Sequence, residues 1–374
     1  MLRLALSLLF LTSCSSIKPK GLCLESVDGS SPCRPYRAGM ISLNREIDSV
    51  KPLGARDLGG HVLVNDMLVT SPYKNQLQGI SLKSKVSAWW LELDNSVTAP
   101  LTNFGQYVVA GLRGGQVLKV EASTGKVAWS SQLGRYMSRQ PVLAGGSLLV
   151  SSVDQKLFSI DYATGKTNWI YDAGLPTGIV LHGASRPLVL GSQVLLGTSE
   201  GEVHAVDIAT GKRVWDFNPG PSDSRFRDVV GDMASLDGNI IVSRYDGLVF
   251  SMSVATGGRG VLWQKEFPVI TNTHYRDGVY YVGCINGDLL ALDGSTGKQI
   301  WKVQLGEAAT SITPGETIVY IGGTQGRISA LDAKTGSLLW HDDVEGALSH
   351  SPVFFNDILY FGTGLKVLYG YKVL

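Results

Sequence analysis

Residues 291–305 read ALDGSTGKQIWKVQL, and residues 330–344 read ALDAKTGSLLWHDDV. Two earlier stretches follow the same line: SIDYATGKTNWIYDA at 159–173 and AVDIATGKRVWDFNP at 205–219. Each joins a short apolar run to a second run through Asp, Thr and Gly, and sets a tryptophan after the turn. An aspartate here can hydrogen-bond its own turn, and the glycine supplies a left-handed backbone position. The tryptophan brings a large apolar surface to the following strand, where it can fill the gap to a neighbouring repeat. An acid repeated at Asp161, Asp207, Asp293 and Asp332 is a part of the fold, because a catalytic acid is normally needed once.

Outward from this stretch the pattern is periodic. Tryptophans follow at Trp90, Trp129, Trp169, Trp215, Trp263, Trp301 and Trp340. A spacing of roughly forty residues with four strand-like runs per unit is the sign of a β-propeller. Residues 267–303 set out one unit: an inner strand near Val269, a turn at Asp277-Gly278, VYYVGC, a turn at Asn286-Gly287, DLLALD, the Thr-Gly turn and QIWKV. After Trp340 the chain has three runs and no fourth, while residues 40–50 precede the first full unit without a blade of their own. Ring closure by the N-terminal strand repairs both ends and leaves no free edge. The expected fold is therefore all-β: an eight-bladed propeller of four-stranded antiparallel blades over residues 40–374.

Composition agrees. Of 374 residues 44% are apolar, 17% are charged and 45 are glycine, which suits short strands with tight turns. The formal net charge of +1 gives no reason to expect nucleic acid as a partner.

The first residues, MLRLALSLLFLTSC, hold an early Arg3 and an apolar run from Leu4 to Leu11. That run is too short to span a bilayer and right for a secretory signal. Leu11-Thr12-Ser13-Cys14 resembles a bacterial lipobox, which implies a signal peptide over 1–13 and lipidation of Cys14; an ordinary signal peptide is the other reading. Residues 14–39, rich in Pro, Gly and Ser, read as a tether. Within it Cys23 and Cys33 can pair as a disulfide in an exported protein, or stand as two thiols or metal ligands. Cys284, in an apolar run, reads as a buried thiol.

Signs of chemistry are few. Gly197-Thr198-Ser199-Glu200-Gly201 matches the nucleophile-elbow pattern. It sits, however, where other units carry GCING (283–287) or GGTQG (322–326), so it reads as a hairpin turn. The six histidines, His61, His182, His204, His274, His341 and His350, lack metal-site spacing. Two or three of them can still meet in space. No phosphate loop or dinucleotide fingerprint occurs. Neither a metal site nor a cofactor is expected.

The Asp-x-x-Thr-Gly-Lys-x-x-Trp turn resembles the repeat of quinoprotein-type propellers. One branch comprises quinone-dependent dehydrogenases, usually much longer and often with a vicinal Cys-Cys pair and a calcium site; this chain has no such pair. The other is the BamB family of outer-membrane protein assembly factors, which the lipobox, length, blade count and incomplete last unit all match. That resemblance implies a non-enzymatic scaffold of the β-barrel assembly machine. It would be lipid-anchored to the outer membrane, with Ser15 after the lipidated cysteine, and face the periplasm. Its implied partners are the POTRA domains of BamA, other lipoproteins of the machine and unfolded outer-membrane clients. The alternatives are an envelope adaptor with another partner and a small quinoprotein dehydrogenase.

The family's BamA-binding segments have counterparts here. The segment 178–187 is similar to the L-x-L-R-G-x-S-x-P pattern through Ile179, Leu181, His182, Gly183, Ser185 and Pro187, with His182 where Arg is usual. The segment 224–232 is similar to the R-x-x-D-V-D loop through Arg225 and Asp228, with Val230 where a second acid is usual. Read from composition alone, Ile179 and Leu181 ringed by Arg186, Arg225, Arg227 and Asp228 suit a protein-binding patch. They also suit the start of an inner strand.

Overall fold

The computed structural model describes residues 36–42 (as backbone), 60–71, 75–137, 139–176, 181, 183–220, 224–255, 260–348, 350–364 and 367–372. Among these residues the chain forms eight four-stranded antiparallel sheets, arranged as an eight-bladed β-propeller. The unit at 267–303 is typical. Its strands are Ile270–Arg276, Val279–Cys284, Asp288–Asp293 and Gln299–Gln304, from the inside of the ring outward. The Asp277-Gly278 turn carries φ of 49° and 84°, so the two strands join in the tight hairpin that its sequence calls for.

Ring closure is as the repeat count demands. The eighth sheet holds Val353–Phe355, Ile358–Gly362 and Val367–Lys372, and its outer strand is Tyr36–Ser42. Tyr36 faces Lys372 and Ser42 faces Val367. The closing strand thus begins inside the stretch read as tether. The Pro, Gly and Ser residues upstream of Tyr36 hide its alternation in any compositional window.

The core lies between blades. Between the fifth and sixth, Val230, Ala234, Ile241 and Val249 meet Ile270, Tyr280, Val282, Cys284, Leu290 and Leu292, with Trp263 against them. Cys284 is a buried thiol, and burial, helped by Asp288, pushes its pKa up to about 11.

The tryptophans tie this core together through one repeated device. Opposite each, the register slips by one residue, as where Ala291 faces Trp301 and Leu292 faces Gln299. The bulge re-aims the side chain toward the next blade. In five of the blades the indole lies there on the glycine of the Thr-Gly turn, and its N–H donates to the carbonyl one residue after the turn's acid. Trp129, Trp169, Trp263 and Trp301 reach Tyr162, Ile208, Gly294 and Ala333 in this way, at 2.8–3.1 Å. The Trp215 N–H instead donates to Oε1 of Gln193 in its own blade at 3.0 Å. In the first blade the docking residue is Trp89, at 2.8 Å from the Ala122 carbonyl, and not Trp90. The bulge register settles this, because Gly79 faces Trp89 there as Ala291 faces Trp301.

Candidate partner-docking site

Two connections leave outer strands at one end of the ring and enter the next inner strands. The first runs from Thr167–Asp172 to Leu188–Leu190, the second from Arg213–Phe217 to Val229–Leu236. They contain the segments singled out in the sequence. Ile179 and His182 lie outside the described residues, as do Cys14, Cys23 and Cys33.

The described residues of the two segments meet. The Leu181 N–H donates to Oδ1 of Asp228 at 3.1 Å. Asp228 is fully buried, while Leu181 is 41% exposed. The carboxylate therefore works from beneath, holding the backbone that carries an outward leucine. Asp228 is itself fixed, because its carbonyl accepts the Tyr245 N–H at 2.9 Å.

Gly183 and Ser185 are internal parts of the same arrangement. Gly183 has φ of 72°, and a Cβ there would lie 3.0 Å from the Cα of Val153 in the preceding blade, so only glycine fits without displacement. Ser185 is fully buried. Its Oγ accepts the Gly197 N–H at 2.8 Å and donates to the Arg186 carbonyl at 3.1 Å.

The charges around this apolar point are arranged differently from a simple ring of arginines. Arg186 pairs with Asp232 at 3.0 Å, and Arg227 with Glu200 at 2.6 Å. Arg225 is exposed. Val230, where an acid is usual, is buried in the core between the fifth and sixth blades. Besides Asp228, the acid that meets the first segment is Asp232, through Arg186. An exposed leucine at 81%, Leu175, stands in the same connection as Leu181. No sequence signal marks it out, because only the loop geometry decides which apolar residues stay outside.

Behind the loops a cavity of about 410 Å³ opens toward the ring's centre, lined by Arg186, Leu188, Asp232, Met233 and His274 among others. Burial lowers the pKa of His274, with Asp232 opposing it. Burial also lowers that of Arg139, against the pull of Asp232 and Asp228. Among the described residues no group of three or more His, Cys, Asp or Glu side chains gathers as a metal-binding set. The Gly197–Gly201 pattern lies in the hairpin turn between Gln193–Gly197 and Val203–Asp207. It lacks the strand-to-helix context of a nucleophile elbow.

The family model described as outer membrane protein assembly factor BamB matches residues 87–303 and 259–372. The chain belongs to the BamB family. Its fold is similar to that of BamB from Moraxella catarrhalis, with a TM-score of 0.76 at 20% identity over 90% of this chain and 99% of that one. It is also similar to the computationally designed Ika8 protein (TM-score 0.73, 16% identity, 86% and 97% covered). A europium-containing methanol dehydrogenase shares the fold as well (TM-score 0.72, 14% identity, 91% and 93% covered). No curated protein matches the chain in sequence. At these identities the structural likenesses speak for the fold alone.

Proposed function

We propose that this BamB-family propeller is a non-enzymatic scaffold of the β-barrel assembly machine. It docks on the POTRA domains of BamA and assists the folding and insertion of outer-membrane β-barrels. The observation that carries this reading is Leu181, held outward by the buried Asp228 at the junction of the two loops. An exposed apolar side chain on a held backbone, in a segment bonded to the one that carries the exposed Arg225, together with paired charges, has the make-up of an interface centre with a polar rim. We further propose lipidation at Cys14, a Cys23–Cys33 disulfide, and attachment at the periplasmic face of the outer membrane. Several acyl chains would make such attachment stable.

Docking through the loops is favoured over strand addition at blade edges. Each described outer strand carries a bulge opposite its third strand or, in the eighth blade, between Arg37 and Gly39. A bulged edge is a poor template for a further strand.

The test is a crosslinked pull-down from native envelope, comparing wild type with the Leu181→Asp, Asp228→Arg double variant after its fold is checked by circular dichroism. Recovery of BamA by wild type alone supports both the partner and the loops. Recovery by both keeps the partner and removes the loops. Recovery by neither, with a second envelope complex captured as control, moves the reading to an adaptor with another partner.

A further inference from the structure

We propose that His61 and His350 form a binding site for one imidazole-preferring transition-metal ion, zinc or copper, at the junction that closes the ring. His61 opens the inner strand His61–Val64 of the first blade, and His350 precedes the inner strand Val353–Phe355 of the eighth. Nearly the whole chain separates them, yet their ring centres are 6.4 Å apart at 66° between planes.

Three features set this pair apart from a packed histidine. First, Nε2 of His61 is shielded from solvent and has no hydrogen-bond partner. A buried ring nitrogen left in this way carries a desolvation penalty that a ligand would relieve. Second, the His61 ring hydrogen-bonds the backbone of Tyr360. With one nitrogen donating to a carbonyl, the lone pair is placed on the other, which is how metal-binding imidazoles are commonly held. Third, both rings occupy room that only glycine leaves. A Cβ on Gly362 would lie 2.6 Å from Nδ1 of His61, and one on Gly60 would overlap the ring of His350.

The spacing fits one shared ion. Metal–nitrogen bonds of roughly 2.0–2.1 Å put each ring centre roughly 3.2 Å from the metal. A linear arrangement, which cuprous ion favours, then separates the centres by roughly 6.4 Å, and a tetrahedral angle by roughly 5.2 Å. With a nitrogen of each ring turned toward one ion, copper would leave the 6.4 Å separation of the ring centres unchanged, and zinc would draw them together by about 1 Å. His350 is partly exposed, which gives an ion a way in and leaves positions for water. The result would be a bolt across the one seam of the ring that depends on the chain's two ends meeting.

The experiment titrates the full chain with Zn²⁺, and with Cu⁺ under reducing conditions. It follows bound metal, melting temperature and the X-ray absorption edge. One equivalent should bind and raise the melting temperature by about 2 °C or more, with imidazole nitrogens in the absorption fine structure. His350→Ala, altered at the partly exposed partner, should bind at least about tenfold more weakly and lose the rise. His341→Ala, at an exposed histidine elsewhere, should behave as wild type. No metal retained by the folded wild type overturns the site, as does equal affinity in His350→Ala. If His61→Gln does not fold, His350→Ala still decides. The readouts need no partner protein, so they are independent of the scaffold reading.

Discussion

The indole N–H of Trp129 donates to the carbonyl of Tyr162 in the next blade at 2.9 Å, and the ring lies where a Cβ on Gly165 would sit 2.8 Å from it. One residue type thus specifies another across a blade boundary. The same pairing joins Trp89 to Gly125, Trp169 to Gly211, Trp263 to Gly297 and Trp301 to Gly336. The first blade receives no tryptophan, since the closing strand Tyr36–Ser42 has none. There the turn carries Lys85 at the equivalent place, with φ of 57°.

This contrast predicts opposite outcomes for two substitutions. Gly297→Ala should destabilise by about 1–3 kcal/mol, from a left-handed alanine and a Cβ 2.6 Å from the Trp263 ring. Lys85→Gly should be neutral or stabilising by up to about 1 kcal/mol, because it relieves a left-handed non-glycine residue where no tryptophan docks. Urea unfolding of both variants checks the pair. Equal losses would show that the turns, not the docked indoles, set the requirement for glycine.

The turn aspartates predict an acid response. Hydrogen bonds from Thr164 hold the Asp161 carboxyl below the usual carboxylate range, and Thr210 and Thr335 do the same for Asp207 and Asp332. A carboxyl whose folded pKa is depressed contributes stability above its unfolded value, about 3.9. That contribution is lost as pH falls through the folded pKa. Thr164→Val should therefore raise the Asp161 pKa, read by NMR titration. It should also make the protein less sensitive to the step from pH 4 downward at this turn. An unmoved Asp161 pKa would remove the threonine as its cause.

Tyr280 predicts the alkaline counterpart. Its hydroxyl is buried among Ser243 at 2.8 Å, Thr273 at 3.1 Å and the Asp232 carbonyl at 3.4 Å. Burial pushes its pKa up to about 12. The neutral phenol is favoured by folding, so its contribution is complete below the ordinary value of about 10 and lost as pH rises toward 12. Tyr280→Phe should cost about 1–3 kcal/mol at neutral pH, since it strips hydrogen bonds from two buried hydroxyls. It should also flatten the stability loss between pH 10 and 12. A wild-type profile already flat over that range would contradict the burial of the hydroxyl.

The repeat made most of this fold legible, because turn chemistry and a bulged tryptophan strand recur with little variation. Trp89 was legible only through register, since two adjacent tryptophans satisfy the same spacing and the bulge alone selects one. The site was less legible. A resemblance marks Asp228 and Ser185 as belonging to the docking region, but sequence cannot separate a residue that touches a partner from one that holds up its neighbour. Their burial does. His61 and His350 could not be paired from sequence, since the contact depends on how the ring closes.

Asp228 gives the sharpest prediction at the loops. Its side chain accepts the Leu181 N–H from a fully buried position. Asp228→Ala removes the acceptor and should speed exchange of the Leu181 amide by about tenfold or more, equivalent to a bond of about 1.5–3 kcal/mol to a charged group. Asp228→Asn retains an acceptor oxygen and should lie between Ala and wild type. Leu181→Ala should leave amide exchange unchanged, because the bond is to the backbone, while trimming the exposed apolar surface. If BamA capture falls for Asp228→Ala and Leu181→Ala alike, the carboxylate acts by placing the leucine. If it falls for Asp228→Ala only, with exchange at Leu181 unaltered, the carboxylate matters in some way other than holding that backbone, and the positioning role fails.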